Sequence, residues 1–194
     1  VNMTGIAIGN DQGGNCIKTI TSKYIAVRTS FFYQCNDSAI FFQDSNYTSV
    51  QSVVISKAYN PNGALRYADS LFNFVENTNI SNTTRGLVMD CDVAREGDSS
   101  LTNLFVNGSD QIGIQFRQEC DNVTLADSTV RDSGIGIEVH ANVTLYNTTS
   151  WYSSPNIRFI SSSPQQVPEP SFIAFVIDSD FNDTLSQNDV LFSA

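Results

Sequence analysis

The stretch NVTLADSTVRDSGIGIEVHANVTLYNTTSW runs from Asn122 to Trp151. It contains NVTL twice, so that Val123 and Leu125 recur as Val143 and Leu145 at a twenty-residue offset. At the same offset Asp127-Ser128-Thr129 recurs as Asn147-Thr148-Thr149, and Ile137 and Val139 recur as Ile157 and Phe159. Each unit reads as two short alternating strands, NVTL and GIGIEV, separated by polar turns. One such pair cannot bury its apolar side alone. Stacking the units buries it, with inward Val, Ile, Leu and Phe aligned in ladders.

The rest of the chain carries weaker copies. VVISKAYNPNG (Val53–Gly63), FVENTNISN (Phe74–Asn82) and VMDCDVAREGD (Val88–Asp98) read as degenerate versions of TLADSTVRDSG. FYQCNDSAIFFQDS (Phe32–Ser45) aligns with FRQECDNVTLADS (Phe116–Ser128), and FVIDSDFND (Phe175–Asp183) fits the same mould. No segment carries a helical stripe, and Gly, Asn, Asp and Ser interrupt the chain every few residues. The expectation is one domain over residues 1–194, an all-β right-handed parallel β-helix, with a Pro-rich loop inserted at 161–170. About nine coils of about 20 residues would make a rod of roughly 45 Å. Asn122 and Asn142 should then lie one above the other. The competing fold is a β-sandwich, including a pilin-like one completed by a neighbour's strand.

The units resemble those of the pectin-lyase-like right-handed β-helix superfamily, over residues 15–185. The resemblance rests on the N-V-T-L strand and turn followed by G-I-G-I-x-V. It implies a fold more than an activity. Members often cleave acidic polysaccharides, and polygalacturonase-like ones carry NTD, DD, GHG and RIK motifs. None of these occurs here, so no catalytic residue is carried over.

Composition narrows the function. Twenty acidic residues against 10 basic ones give a net charge of −10, which opposes nucleic acid and anionic membrane surfaces. The longest apolar runs, such as Phe172–Ile177, fall far short of a membrane span. Ten N-x-S/T triplets begin at Asn2, Asn36, Asn46, Asn79, Asn82, Asn107, Asn122, Asn142, Asn147 and Asn182. Chance would give about four at this Ser and Thr content, so the excess points to a glycosylated, secreted or cell-surface protein. Four cysteines, Cys16, Cys35, Cys91 and Cys120, agree with an oxidising compartment. Three pairings are possible; Cys16–Cys35 and Cys91–Cys120 close the shorter loops. No C-x-x-C occurs and His140 is the only histidine, so a zinc site is not expected.

Candidate chemistry is sparse. Asp90 with Asp92, or Asp178 with Asp180, sits i to i+2 and would share a strand face, where two carboxylates suit general acid–base work or Ca²⁺. Solvated acidic edges are the simpler reading, and no cofactor is expected. Arg117, Arg131 and Arg158 are candidates by residue type alone; outward arginines usually pair with a neighbouring acid. His140 is expected as an exposed corner residue. Trp151 and Tyr152 are of a type that stacks on sugars, but a capping or ladder role suits them better. An enzyme is therefore not the favoured expectation. A structural surface protein is, polymerising head to tail through its ends, Val1–Asn10 and Asp189–Ala194, since no amphipathic helix covers the first or last coil. A polysaccharide-binding or polysaccharide-degrading protein is the alternative, and a glycan-free face lined by Asp, Arg and aromatics would favour it.

Overall fold

The computed structural model describes residues 1–11, 14–91, 97–117, 120, 122–160, 174–177, 179–180 and 190–193. Every strand pairing among them is parallel, and none of the described residues is helical. This excludes the antiparallel β-sandwich. The chain is a right-handed parallel β-solenoid whose coils each lay down three strands, on three faces.

The first coil holds β1 (Asn2–Thr4), β2 (Ala7–Asp11) and β3 (Ile17–Ile20). The second holds β4 (Lys23–Arg28), β5 (Phe31–Cys35) and β6 (Ile40–Gln43), and the third β7 (Asn46–Gln51), β8 (Val54–Ser56) and β9 (Leu65–Ala68). In the next two coils single long strands, β10 (Asn73–Asp90) and β11 (Ser99–Phe116), run across all three faces. Then come β12 (Val123–Ala126), β13 (Thr129–Arg131) and β14 (Ile135–Val139), and β15 (Val143–Tyr146), β16 (Thr149–Trp151) and β17 (Ile157–Ile160). Last are β18 (Ala174–Ile177) and β19 (Val190–Ser193). Face one is the row β1–β4–β7–β10–β11–β12–β15–β18, eight rungs deep. Face two starts at β2 and face three at β3.

Two expectations are corrected here. The coil is three-stranded: the polar turn expected between NVTL and GIGIEV contains β13. The coil is also usually longer than twenty residues. Partner residues on successive rungs lie 20 apart at Val123–Val143, but 22 to 27 apart in the earlier coils and 31 at Val143–Ala174. Eight rungs therefore replace nine, for a rod of roughly 35 Å. Residues 161–170 lie outside the described residues.

The corners explain how one chain turns three times per coil. Between faces one and two, Thr29, Ser52, Asn77, Asn103, Asp127 and Asn147 occupy equivalent places with φ between 43° and 54°. This left-handed conformation suits Asn and Asp better than other non-glycine residues. The residue after it turns inward. Ser30, Thr78, Ser128 and Thr148 are buried there, and each hydroxyl donates to the carbonyl two residues back. The same return occurs at the other corners, from Ser45, Ser70, Ser133 and Ser153. Buried hydroxyls are thus satisfied without a partner from the core.

The core is a set of ladders. Ile25, Val50, Val75, Leu101, Val123 and Val143 belong to it on the first face, and Leu65, Leu87, Ile114, Ile137 and Ile157 on the third. At the bend into face three the coil is narrow. Gly86, Gly113 and Gly136 stack there, and a Cβ on Gly113 would meet Val130 Cγ1 at 2.3 Å and the Gly136 carbonyl oxygen at 2.7 Å. Two disulfides, Cys16–Cys35 and Cys91–Cys120, each join neighbouring coils, with Cα separations of 5.8 and 5.3 Å.

Candidate functional site

Strand alternation decides what face three shows to solvent. Leu87, Ile114 and Ile137 point in, so their successors Val88, Gln115 and Glu138 form an outward column. That column continues as Lys18, Phe41 and Arg66 on one side and Arg158 on the other. A second column holds Asp90 and Arg117, with His140 following β14, and Arg85 stands at the bend. Five cations (Lys18, Arg66, Arg85, Arg117 and Arg158) therefore share one face with two carboxylates, Asp90 and Glu138, in a chain of net charge −10.

The carboxylates are fully engaged. Asp90 accepts from Arg117 Nη1 at 2.7 Å and pairs with Arg66 at 3.8 Å. Glu138, whose side chain is only 3% exposed, accepts from Gln115 Nε2 at 2.5 Å, from Arg158, and lies 2.9 Å from His140 Nε2. Burial alone would raise its pKa. The hydrogen bonds from His140, Arg158 and Gln115, with the Arg158 charge, outweigh burial and hold it at about 2. Gln115 Oε1 in turn accepts from Arg85 at 3.1 Å and Arg117 at 3.2 Å. Burial, and then the neighbouring Arg117 charge, lower the Arg85 pKa against the opposing pull of Glu138. Phe41 lies between two of them, with Lys18 Nζ 4.9 Å and the Arg66 guanidinium 4.5 Å from its centroid.

This arrangement limits the chemistry. Glu138 is ionised at neutral pH and cannot donate a proton there. Asp90 has its carboxylate turned to two arginines, and Asp92, its expected companion, lies outside the described residues. Asp178 also lies outside them, while Asp180 is exposed and bridges Thr149 on face two. No group of three or more potential metal ligands occurs among the described residues. What the face offers is charge-assisted hydrogen bonding to anions.

Other expected residues fall elsewhere. His140 is not the exposed corner residue anticipated: its side chain is 18% exposed because the Glu138 carboxylate holds it. Arg117 and Arg158 pair with acids from neighbouring rungs. Arg131 is on face two, donates to Asn107 Oδ1 at 3.1 Å and covers the Phe105 ring. Trp151 and Tyr152 are exposed at the end of face two. The aromatic ladder lies instead at Tyr24, Tyr47 and Phe72, with centroids 5.0 and 4.7 Å apart. Glu138, Gln115, Arg66 and Arg85 were not singled out from sequence. Their only signal is an outward position shared across rungs, which needs the register.

The sequon asparagines have a pattern of their own. Asn2, Asn36, Asn79, Asn82, Asn122 and Asn147 are exposed; Asn46, Asn107 and Asn142 are half-buried; Asn182 lies outside the described residues. Asn122 and Asn142 are adjacent on consecutive rungs, since Val123 pairs with Val143. None of the nine described sequons lies on a strand of face three.

A three-faced parallel β-solenoid with one face that is cationic and free of sequons among the described residues is what fold and site define. No family profile matches the chain, and no curated protein matches it. Among solved structures, the chain is similar to QnrB1, described as a plasmid-mediated fluoroquinolone resistance protein, at 11% identity and a TM-score of 0.28, covering 92% of this chain and 69% of that one. It is also similar to HetL, described as a pentapeptide repeat protein involved in heterocyst differentiation regulation from the cyanobacterium Nostoc sp. strain PCC 7120. There the identity is 9% and the TM-score 0.27, covering 92% of this chain and 88% of HetL. Scores this low carry no argument about what this chain does.

Proposed function

We propose that the chain is a structural, N-glycosylated protein of the cell exterior, a subunit of a surface filament or layer assembled head to tail. The observation that carries this reading is the placement of the sequons: all nine described asparagines are exposed or half-exposed, on faces one and two or at corners and turns. Glycans there would clothe two sides of the rod, and the disulfides suit an oxidising exterior. In this reading a second copy continues the stack on the first coil, whose strands β1, β2 and β3 pair with β4, β5 and β6. The contact is heterologous, so it propagates rather than closes. In its repeat pattern we group the chain with the pectin-lyase-like β-helices.

Three measurements test this. Intact mass before and after deglycosylation should differ; a mass at the bare 21.3 kDa removes the glycoprotein reading. Light scattering on concentrated native protein should show polymer; a dispersed monomer removes the filament. Deleting residues 1–9 should abolish polymer while the β-rich circular dichroism spectrum persists.

Face three favours a second reading, binding of an acidic extracellular polysaccharide. Its surplus guanidinium groups are suited to carboxylates along a polymer. Retention on immobilised polygalacturonate that falls with salt and with Arg117→Ala would support it. No retention at low salt would remove it.

A further inference from the structure

Beside the aromatic ladder, face one carries a groove of about 780 Å³. Phe72 and Phe74 wall one end, each 37% exposed. Asn122 and Asn142 line the other end, and the small side chains of Ser100 and Thr124 line the stretch between. The register explains the space. Phe74 pairs with Ser100 and Ser100 with Thr124, so the outward column drops from a large ring to two hydroxyls over two rungs. The parallel column runs from Phe72 through Asp98 to Asn122, which is therefore about 10 Å from Phe72 at strand spacing. Asn122 is exposed, with φ of 55°.

A trough with aromatic faces at one end, hydroxyls along its length and a carboxylate at its side matches a pyranose. A sugar ring has an apolar face that packs on an aromatic ring and a rim of hydroxyls that needs partners. Two sequon asparagines line this trough, so the saccharide nearest to it is the chain's own. We propose that the groove is the docking site for the inner sugars of a glycan attached to Asn122, which lie over Ser100 and Thr124 and pack against Phe72 and Phe74. This inference rests on the glycoprotein reading. It adds that one glycan is an ordered part of the surface, shielding aromatic side chains that otherwise face water.

The test uses full-length protein secreted from a eukaryotic host that adds N-glycans. Glycopeptide mass spectrometry follows each sequon while an N-glycan-releasing amidase acts on the folded protein. The Asn122 glycan should be released at least tenfold more slowly than those on Asn36 and Asn79, and at the same rate after denaturation. Phe72→Ala with Phe74→Ser should bring the folded rate within twofold of the exposed sites. Phe72→Trp should keep it slow, which separates loss of the aromatic wall from loss of fold. Equal release from folded wild-type protein, or slow release that survives Phe72→Ala with Phe74→Ser, overturns the proposal. A bare Asn122 beside occupied Asn36 and Asn79 also overturns it and leaves the glycoprotein reading standing. Bare asparagines throughout overturn both.

Discussion

The Glu138 carboxylate accepts the guanidinium of Arg158 from the next rung, twenty residues on in sequence. One rung back, Gln115 donates to the same carboxylate at 2.5 Å. Face three is stitched across coils by side chains as well as by backbone.

That pinning makes stability depend on acid. The Glu138 pKa is about 2 in the folded protein against 4.5 for the free group. A depressed folded pKa contributes stability above the unfolded value and loses it as pH falls. The contribution, on the order of 3 kcal/mol, should be complete above about pH 5 and vanish between there and pH 2. Urea unfolding at pH 7, 4 and 2.5 measures it. Glu138→Gln should flatten the profile over that window; an unchanged slope would show that Glu138 is not the group responsible.

Gly113 is expected to tolerate no side chain. Gly113→Ala places a methyl 2.3 Å from Val130 Cγ1 and against the next rung's backbone. The cost should be about 2–3 kcal/mol, as in other overpacked cores. Gly5, at φ +67° with nothing within 4 Å of its would-be Cβ, is the control. Gly5→Ala pays only for conformation, about 1–2 kcal/mol. Chemical denaturation of both variants should rank them in that order.

Removing Cys91–Cys120 by a double Ser substitution should cost roughly 3–4 kcal/mol, given a sequence separation of 29 residues. Thiol titration of the unfolded, unreduced wild type should find no reactive group among the four cysteines.

The adjacency of Asn122 and Asn142 should show in glycan occupancy. Their rungs are about 4.8 Å apart, too close for two branched glycans to leave the surface independently. Molecules carrying both should be rarer than the product of the two single occupancies. Asn142→Gln should raise occupancy at Asn122. Top-down mass spectrometry counts the doubly modified species directly.

Some of this could be read from the chain and some could not. The coil from Val123 to Val143 has the shortest corners, so its period stands out. It places β12, β15, β14 and β17 in their true register. FVENTNISN is also in register: Phe74 lies two rungs from Thr124. VVISKAYNPNG and VMDCDVAREGD are not, because Val54 pairs toward face two and Val88 lies on face three. All three corners use the same device, a left-handed residue followed by an inward Ser or Thr. A local match therefore cannot say which corner it has found. Glu138 was hidden for a related reason. It is outward by alternation, yet buried by residues 20 and 23 positions away.

The two disulfides each fasten one coil to the next, the first to the second and the fourth to the fifth. Nothing covalent but the chain itself joins the remaining described coils. Under tension along the rod, rungs would peel singly, a coil of 23 residues such as that from Lys23 to Asn46 releasing on the order of 80 Å of slack. Peeling would halt at a stapled pair, because the 29-residue span between Cys91 and Cys120 cannot pay out. Oxidised, the rod is a tether with two fixed stops; reduced, it is one long zipper.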